Sequence, residues 1–184
     1  PAVDRVAKPR QEGDIAERVW AQVVALKPGK LRDTLDEAVV SLGATGVLEQ
    51  VIVPLLHRMG DGWESGELSV AEEHAASAVI KEFLFLGSRP FAATAGAPGL
   101  VVATPTGQLH ELGAAMVASS ARRLGWNVTY LGASLPAEEI ARAVLRSHAL
   151  AVALSIVYPG DDPEMSDELR RLRRFLPEGM AIFV

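Results

Sequence analysis

From residue 100 onward, short runs of β-branched and apolar residues alternate with amphipathic stretches of helical length, and this alternation limits the possible folds more than any other feature. The apolar runs lie at 100–104, 127–131, 149–157 and 180–184. The helical stretches lie at 109–124, 137–147 and 163–175. Strands that alternate with helices of this length form consecutive βαβ units. They pair in parallel, carry helices on both faces and cross over right-handed. Residues 100–184 are therefore expected to form a doubly wound, flavodoxin-like or Rossmann-like α/β module.

The first half has a different period. Ile15, Val19, Val23 and Leu26 fall on one helical stripe, with Asp14 as the expected N-cap and Pro28-Gly29 as the stop. A second helix is expected at 31–42, with Leu31, Leu35 and Val39 inward and Gly43 ending it. A third begins near Thr45 and carries Val47, Leu48, Val51, Ile52, Leu55, Leu56 and Met59, broad enough coverage for a central helix. Ser69 with Glu72 three residues later has the spacing of a capping box and opens the fourth helix. Short connections predict an antiparallel four-helix bundle. The expected organisation is a linker at 1–12, the bundle at 13–90, a second linker at 91–99 and the α/β module at 100–184. The start without Met and the end inside a strand read as cuts through a longer protein.

A net charge of −5 and an isoelectric point near 5.4 argue against nucleic-acid binding by this segment, which needs clustered cations to neutralise phosphates. The basic run Arg170-Arg171-Leu172-Arg173-Arg174 reads as the solvated face of a helix. No cysteine is present, so disulfides and thiolate metal sites are excluded. No apolar run is seen to approach the length of a membrane span, and no signal peptide opens the chain, so a cytoplasmic protein is expected.

The chemistry concentrates on the turn after the first strand, Thr104-Pro105-Thr106-Gly107-Gln108-Leu109-His110-Glu111-Leu112-Gly113. Ligands of open α/β sheets bind outside the carboxyl ends of the strands, where this turn lies. Gly107 allows a sharp turn and close approach, and Gly113 allows another body to lie against the helix. The turn is neither of the glycine-rich phosphate loops, and it lacks a second ligand at zinc spacing. One imidazole there suits a metal that brings its own equatorial ligands. Gln108 could orient it. Glu73 and His74 are adjacent on a helix and point about 100° apart. One can line a pocket while the other braces a wall. Ala71, Ala75 and Ala78 leave space beside them, although close helix packing would use the same small residues. His57 and His148 are read as structural.

Gln108-x-His110-x-x-Gly113 followed by Ser155-x-Val157 resembles the cobalamin-binding signature Asp-x-His-x-x-Gly … Ser-x-Leu … Gly-Gly. Trp63-x9-Glu73-His74 resembles the motif of the MerR-type, cobalamin-dependent light-sensing transcriptional regulators. The resemblance implies base-off binding of adenosylcobalamin, with methyl- or hydroxocobalamin as other forms, and His110 as the lower cobalt ligand. It implies that Thr106, Gly107, Gln108, Leu109, Glu111, Gly113, Ser155 and Val157 line the cofactor and its tail, and that Trp63, Glu73 and His74 face its upper side from the bundle. It further implies a non-enzymatic module that self-associates and reaches DNA only through a domain outside this chain. The sequence departs at Gln108, where the family has Asp, and at Glu64, where the light sensors have His. A corrinoid carrier of a methyltransferase system uses the same two modules and is the alternative. An α/β interaction domain without cofactor is the third.

Overall fold

The computed structural model describes residues 9–91, 93–157 and 163–184. The chain divides into two compact units between Phe83 and Leu84. The first holds α1 (Pro9–Val24), α2 (Pro28–Val47), one π-helical turn (Leu48–Ile52), α3 (Val53–Ser65) and most of α4 (Val70–Ser88). The second adds the last turn of α4 to β1 (Gly99–Pro105), α5 (Leu112–Arg123), β2 (Asn127–Leu135), α6 (Ala137–Ser147), β3 (Ala151–Leu154), α7 (Pro163–Phe175) and β4 (Ala181–Phe183).

In the helical unit the expected stripes become the core. Val19, Val23, Leu31, Leu35, Val47, Val51, Ile52, Leu55, Met59, Leu68, Ala76 and Ile80 are buried. Three local expectations need correction. Asp14 does not cap α1, because the helix already runs from Pro9, a residue suited to the first helical position. Residues 9–12 are thus helix rather than linker, and those before them lie outside the described residues. Leu26 is not on the buried stripe. It is exposed and takes a left-handed φ of 50°, ending the helix with Lys27 N–H on the Gln22 carbonyl at 2.9 Å.

The third correction concerns apolar length. Pro28–Ser65 forms one 38-residue helical stretch, and its most apolar 18-residue window has a mean hydropathy of 1.8, enough by length and composition to cross a membrane. Gly and Thr interruptions hid that average in the sequence. Gly43 still acts as the expected break, with a φ of 69° and ψ of 170° inside the stretch. The π turn precedes Pro54, which has no N–H for the helical ladder, and Val53 N–H reaches back to the Leu48 carbonyl instead. Only 22% of that window is buried, and a single helix of such length and composition carries no membrane assignment by itself.

In the second unit all strands pair in parallel, in the order β2-β1-β3-β4. One face packs Leu100, Val102, Ala151 and Ala153 against Ala114, Ala118 and Ala121 of α5, with Phe85, Trp126 and Tyr130 at its margin. The other packs Val101, Ala103, Val152 and Leu154 against Ile140 and Val144 of α6 and Leu172 and Leu176 of α7. The sheet is doubly wound, as the alternation in sequence requires. Its direction of winding reverses between β1 and β3, which opens the crevice at the carboxyl ends of those strands.

The last turn of α4 is held by this unit. Ser119 Oγ donates to the Leu84 carbonyl at 3.0 Å, and Arg123 donates to the Gly87 carbonyl at 2.9 Å. The Phe85 ring meets Tyr130 edge-on at 4.9 Å, and Arg122 lies over its face.

Candidate functional site

The loop from β1 to α5 sits at that reversal. β1 ends at Pro105, and α5 begins at Leu112 rather than near residue 109, so His110 stands on loop and not on helix. Its side chain is exposed, as are Thr106, Gly107 and Leu109, the last by 73%. An apolar residue so exposed beside an imidazole gives the loop an amphipathic outer face. Gly107 has a φ of 85°, and a β-carbon there would meet nothing within 4 Å. Its N–H donates to Ser134 Oγ at 3.2 Å.

Gln108 is the exception in this loop, only 2% exposed. Its side-chain Oε1 accepts the Val157 N–H at 3.0 Å, which ties the loop to the segment after β3. Its carbonyl accepts the Thr104 hydroxyl, and Thr104 Oγ1 in turn accepts the Ser134 N–H at 2.8 Å. Glu111 turns the other way. Its Oε2 accepts the Tyr130 hydroxyl on β2 at 2.6 Å. Burial, and then this carboxylate, push the Tyr130 phenol well above its usual range.

Ser155 follows β3 directly, with its N–H on the Ala103 carbonyl at 3.1 Å. Its side chain lies against Gly113, where an added β-carbon would strike Ser155 Oγ and stand 3.4 Å from its Cβ. The structure thus brings together Thr106, Gly107, Gln108, Leu109, His110, Glu111, Gly113, Ser155 and Val157 around the ends of β1 and β3. Sequence reading missed Ser134 and Tyr130. Ser134 carries a left-handed φ of 57°, rare for a residue with a side chain, at the irregular end of β2. Its sequence signal was Gly132 two residues before it, a mark of a bulge within a strand.

On the helical unit, Trp63 is 58% exposed. It does not close the core. Trp20 does so, its ring 3.1 Å from a β-carbon built on Gly62 and its face under Arg58. Glu73 and His74 touch each other despite their angular separation. Glu73 Oε1 accepts the Ser77 hydroxyl at 2.6 Å, and its Oε2 contacts His74 Nδ1 at 2.5 Å. Glu73 braces, while His74 is exposed. The buried face of α4 is Ala76 and Ile80, which leaves Ala71 and Ala78 on the outside. His57 is exposed on α3, and His148 ends α6 in a left-handed turn, as expected.

Among the described residues no group of three or more His, Cys, Asp or Glu could hold a metal ion. One exposed imidazole beside small residues fits a metal already bound in a macrocycle, and does not fit a protein-caged ion.

Two family models, each described as a B12 binding domain, match residues 15–85 and 98–183. The chain belongs to the B12 binding domain family. Two curated proteins of Myxococcus xanthus are similar along most of it. The HTH-type transcriptional repressor CarH is 36% identical over 170 residues, 91% of this chain and 56% of that protein. The HTH-type transcriptional repressor CarA is 32% identical over 152 residues, 81% of this chain and 51% of that protein. This B12 binding domain chain therefore spans about half the length of the curated relatives it matches. A solved cobalamin-binding protein from Desulfitobacterium hafniense aligns over 95% of this chain and 82% of its own, at 20% identity and a TM-score of 0.40.

Proposed function

We propose that this chain is the cobalamin-binding sensory module of a transcriptional regulator, and not an enzyme. The observation that carries the reading is the exposed His110 on the loop where the sheet reverses its winding, in a chain matched over residues 15–85 and 98–183 by B12 binding domains. His110 would serve as the lower cobalt ligand of base-off adenosylcobalamin. Thr106, Gly107, Leu109, Glu111 and Gly113 would form the loop around it. Ser155 and Val157, with Gln108 beneath them, would line the slot for the displaced nucleotide tail. Trp63, Glu73 and His74 on the helical unit, the expected upper-face cap, would contact the upper side.

Bound adenosylcobalamin would supply a cobalt–carbon bond that light can cleave. The protein's part is to bind, to exclude water and to rearrange when the upper group leaves. A change of state requires contacts that differ between the two forms, and exposed Trp63 and His74 are the contacts offered for that difference. Self-association would change, and DNA binding with it, through a domain outside this chain. Methyl- and hydroxocobalamin fit the same lower site. The protein is expected to act in the cytoplasm, as a DNA-directed regulator would.

The test is the absorption spectrum of the protein with adenosylcobalamin, in the dark and after green light, together with its oligomer size. The expected result is a base-off, histidine-ligated spectrum in the dark and a change of size on illumination. His110→Ala should bind base-on or at least tenfold more weakly. An unaltered base-off spectrum in that variant would refute the axial assignment, and no corrinoid binding by the parent protein would refute the whole reading.

A further inference from the structure

An exposed imidazole on a five- or six-residue loop is a poor ligand unless its backbone is fixed beforehand, because ordering it on binding costs entropy. Here the loop is tied on both sides of His110, and to different strands. On the N-terminal side Gln108 reaches the segment after β3 through the Val157 N–H. On the C-terminal side Glu111 reaches Tyr130 of β2. β2 and β3 are the two neighbours of β1, the strand from which the loop springs.

Glu111 occupies the N-cap position of α5. Its backbone carbonyl accepts the Ala115 N–H at 2.9 Å, but its side chain makes no capping bond. The carboxylate that a helix N-terminus would attract is aimed across the sheet instead. Tyr130 is half-buried, and its ring is held from the far side by the edge of Phe85. A hydrogen bond from a half-buried phenol to a carboxylate is among the stronger kinds.

We propose that Glu111 and Tyr130 are positioning residues for His110, forming with Gln108 a two-sided suspension that sets the height of the imidazole above the sheet. The inference rests on His110 as cobalt ligand for its purpose, but its mechanical content concerns this chain alone. Glu111 then acts through the backbone of its neighbour and not by touching the cofactor.

The test separates the two. In protein without cofactor, Tyr130→Phe keeps the ring and its contact with Phe85 and removes only the hydroxyl. Amide hydrogen exchange at Gln108, Ala115 and Val157, whose N–H groups donate to Pro105, Glu111 and Gln108, should quicken about tenfold or more in this variant and in Glu111→Ala. Glu111→Gln, which keeps an acceptor oxygen, should fall between them and the parent. Exchange in β3 and α6 should not move. With hydroxocobalamin added, Tyr130→Phe should show a smaller fraction of histidine-ligated spectrum at equal total binding. Loop exchange unchanged in Tyr130→Phe would overturn the proposal, as would faster exchange spread evenly over the whole unit. If the parent binds no cobalamin, the cobalt reading falls while the exchange measurement still decides the suspension.

Discussion

Three positions each make a separate prediction. Gly113 has no β-carbon because Ser155 occupies the space, so Gly113→Ala should destabilise by about 1–3 kcal/mol in urea unfolding. Adding Ser155→Gly should return most of that loss. An equal loss in the double variant would mean that the strain lies elsewhere. Tyr130 predicts a pH effect. Its folded pKa lies above the unfolded value of about 10, so its contribution is complete below that pH and is lost as pH rises beyond it. Stability of the parent should therefore fall more steeply above about pH 10 than that of Tyr130→Phe, as read from urea midpoints. Trp63 makes the opposite kind of prediction. Being exposed, Trp63→Ala should change folding stability by no more than about 0.5 kcal/mol while altering the spectrum of the bound upper ligand.

At the scale of elements, the pattern of the chain carried most of the fold. Ser69 and Glu72 form the expected box. Ser69 N–H and hydroxyl donate to Glu72 Oε2 at 2.7 and 2.6 Å, and Glu72 N–H returns to Ser69 Oγ at 3.3 Å. These bonds hold the Glu72 carboxyl below its ordinary range, so their support of α4 is present above the unfolded pKa and fades as pH falls through the folded one. Ser69→Ala should lower the thermal midpoint at pH 7, with the difference from the parent shrinking in acid. The basic run at 170–174 is the helix face it was read to be. Arg170 pairs with Asp167 at 2.6 Å, Arg171 with Glu138 and Glu168, and Arg173 donates to the Met180 and Pro177 carbonyls. What sequence could not show was what non-local pairing decides. β2 runs four residues past its expected end, because Gly132 and Ser134 take left-handed turns that fold its tail over the neighbouring loop. Gln108 reads as a partner for His110 two residues away. Its side-chain oxygen instead accepts an N–H forty-nine residues ahead, a distance that no local pattern reports. The glycines at 107 and 113, by contrast, were legible, because a positive φ and a close approach each leave a mark in the residue type.

At the scale of the whole molecule, the linker expected at 91–99 and the observed division of the chain between Phe83 and Leu84 differ by several residues. Leu84, Phe85 and Gly87 are held by α5 and β2 through the contacts of Ser119, Arg123 and Tyr130. The portable α/β half of this protein is therefore longer than its sheet by a helical turn. A recombinant piece that starts at residue 94 would bare the apolar seat of Phe85 and lose the Ser119 bond to the Leu84 carbonyl, and should unfold at lower urea than one that starts at residue 80, by about 2–4 kcal/mol. Gene fusions and module exchanges that place the junction at the first strand would cut through a folded neighbourhood, whereas a junction within the middle of α4 would carry the seat and its occupant together.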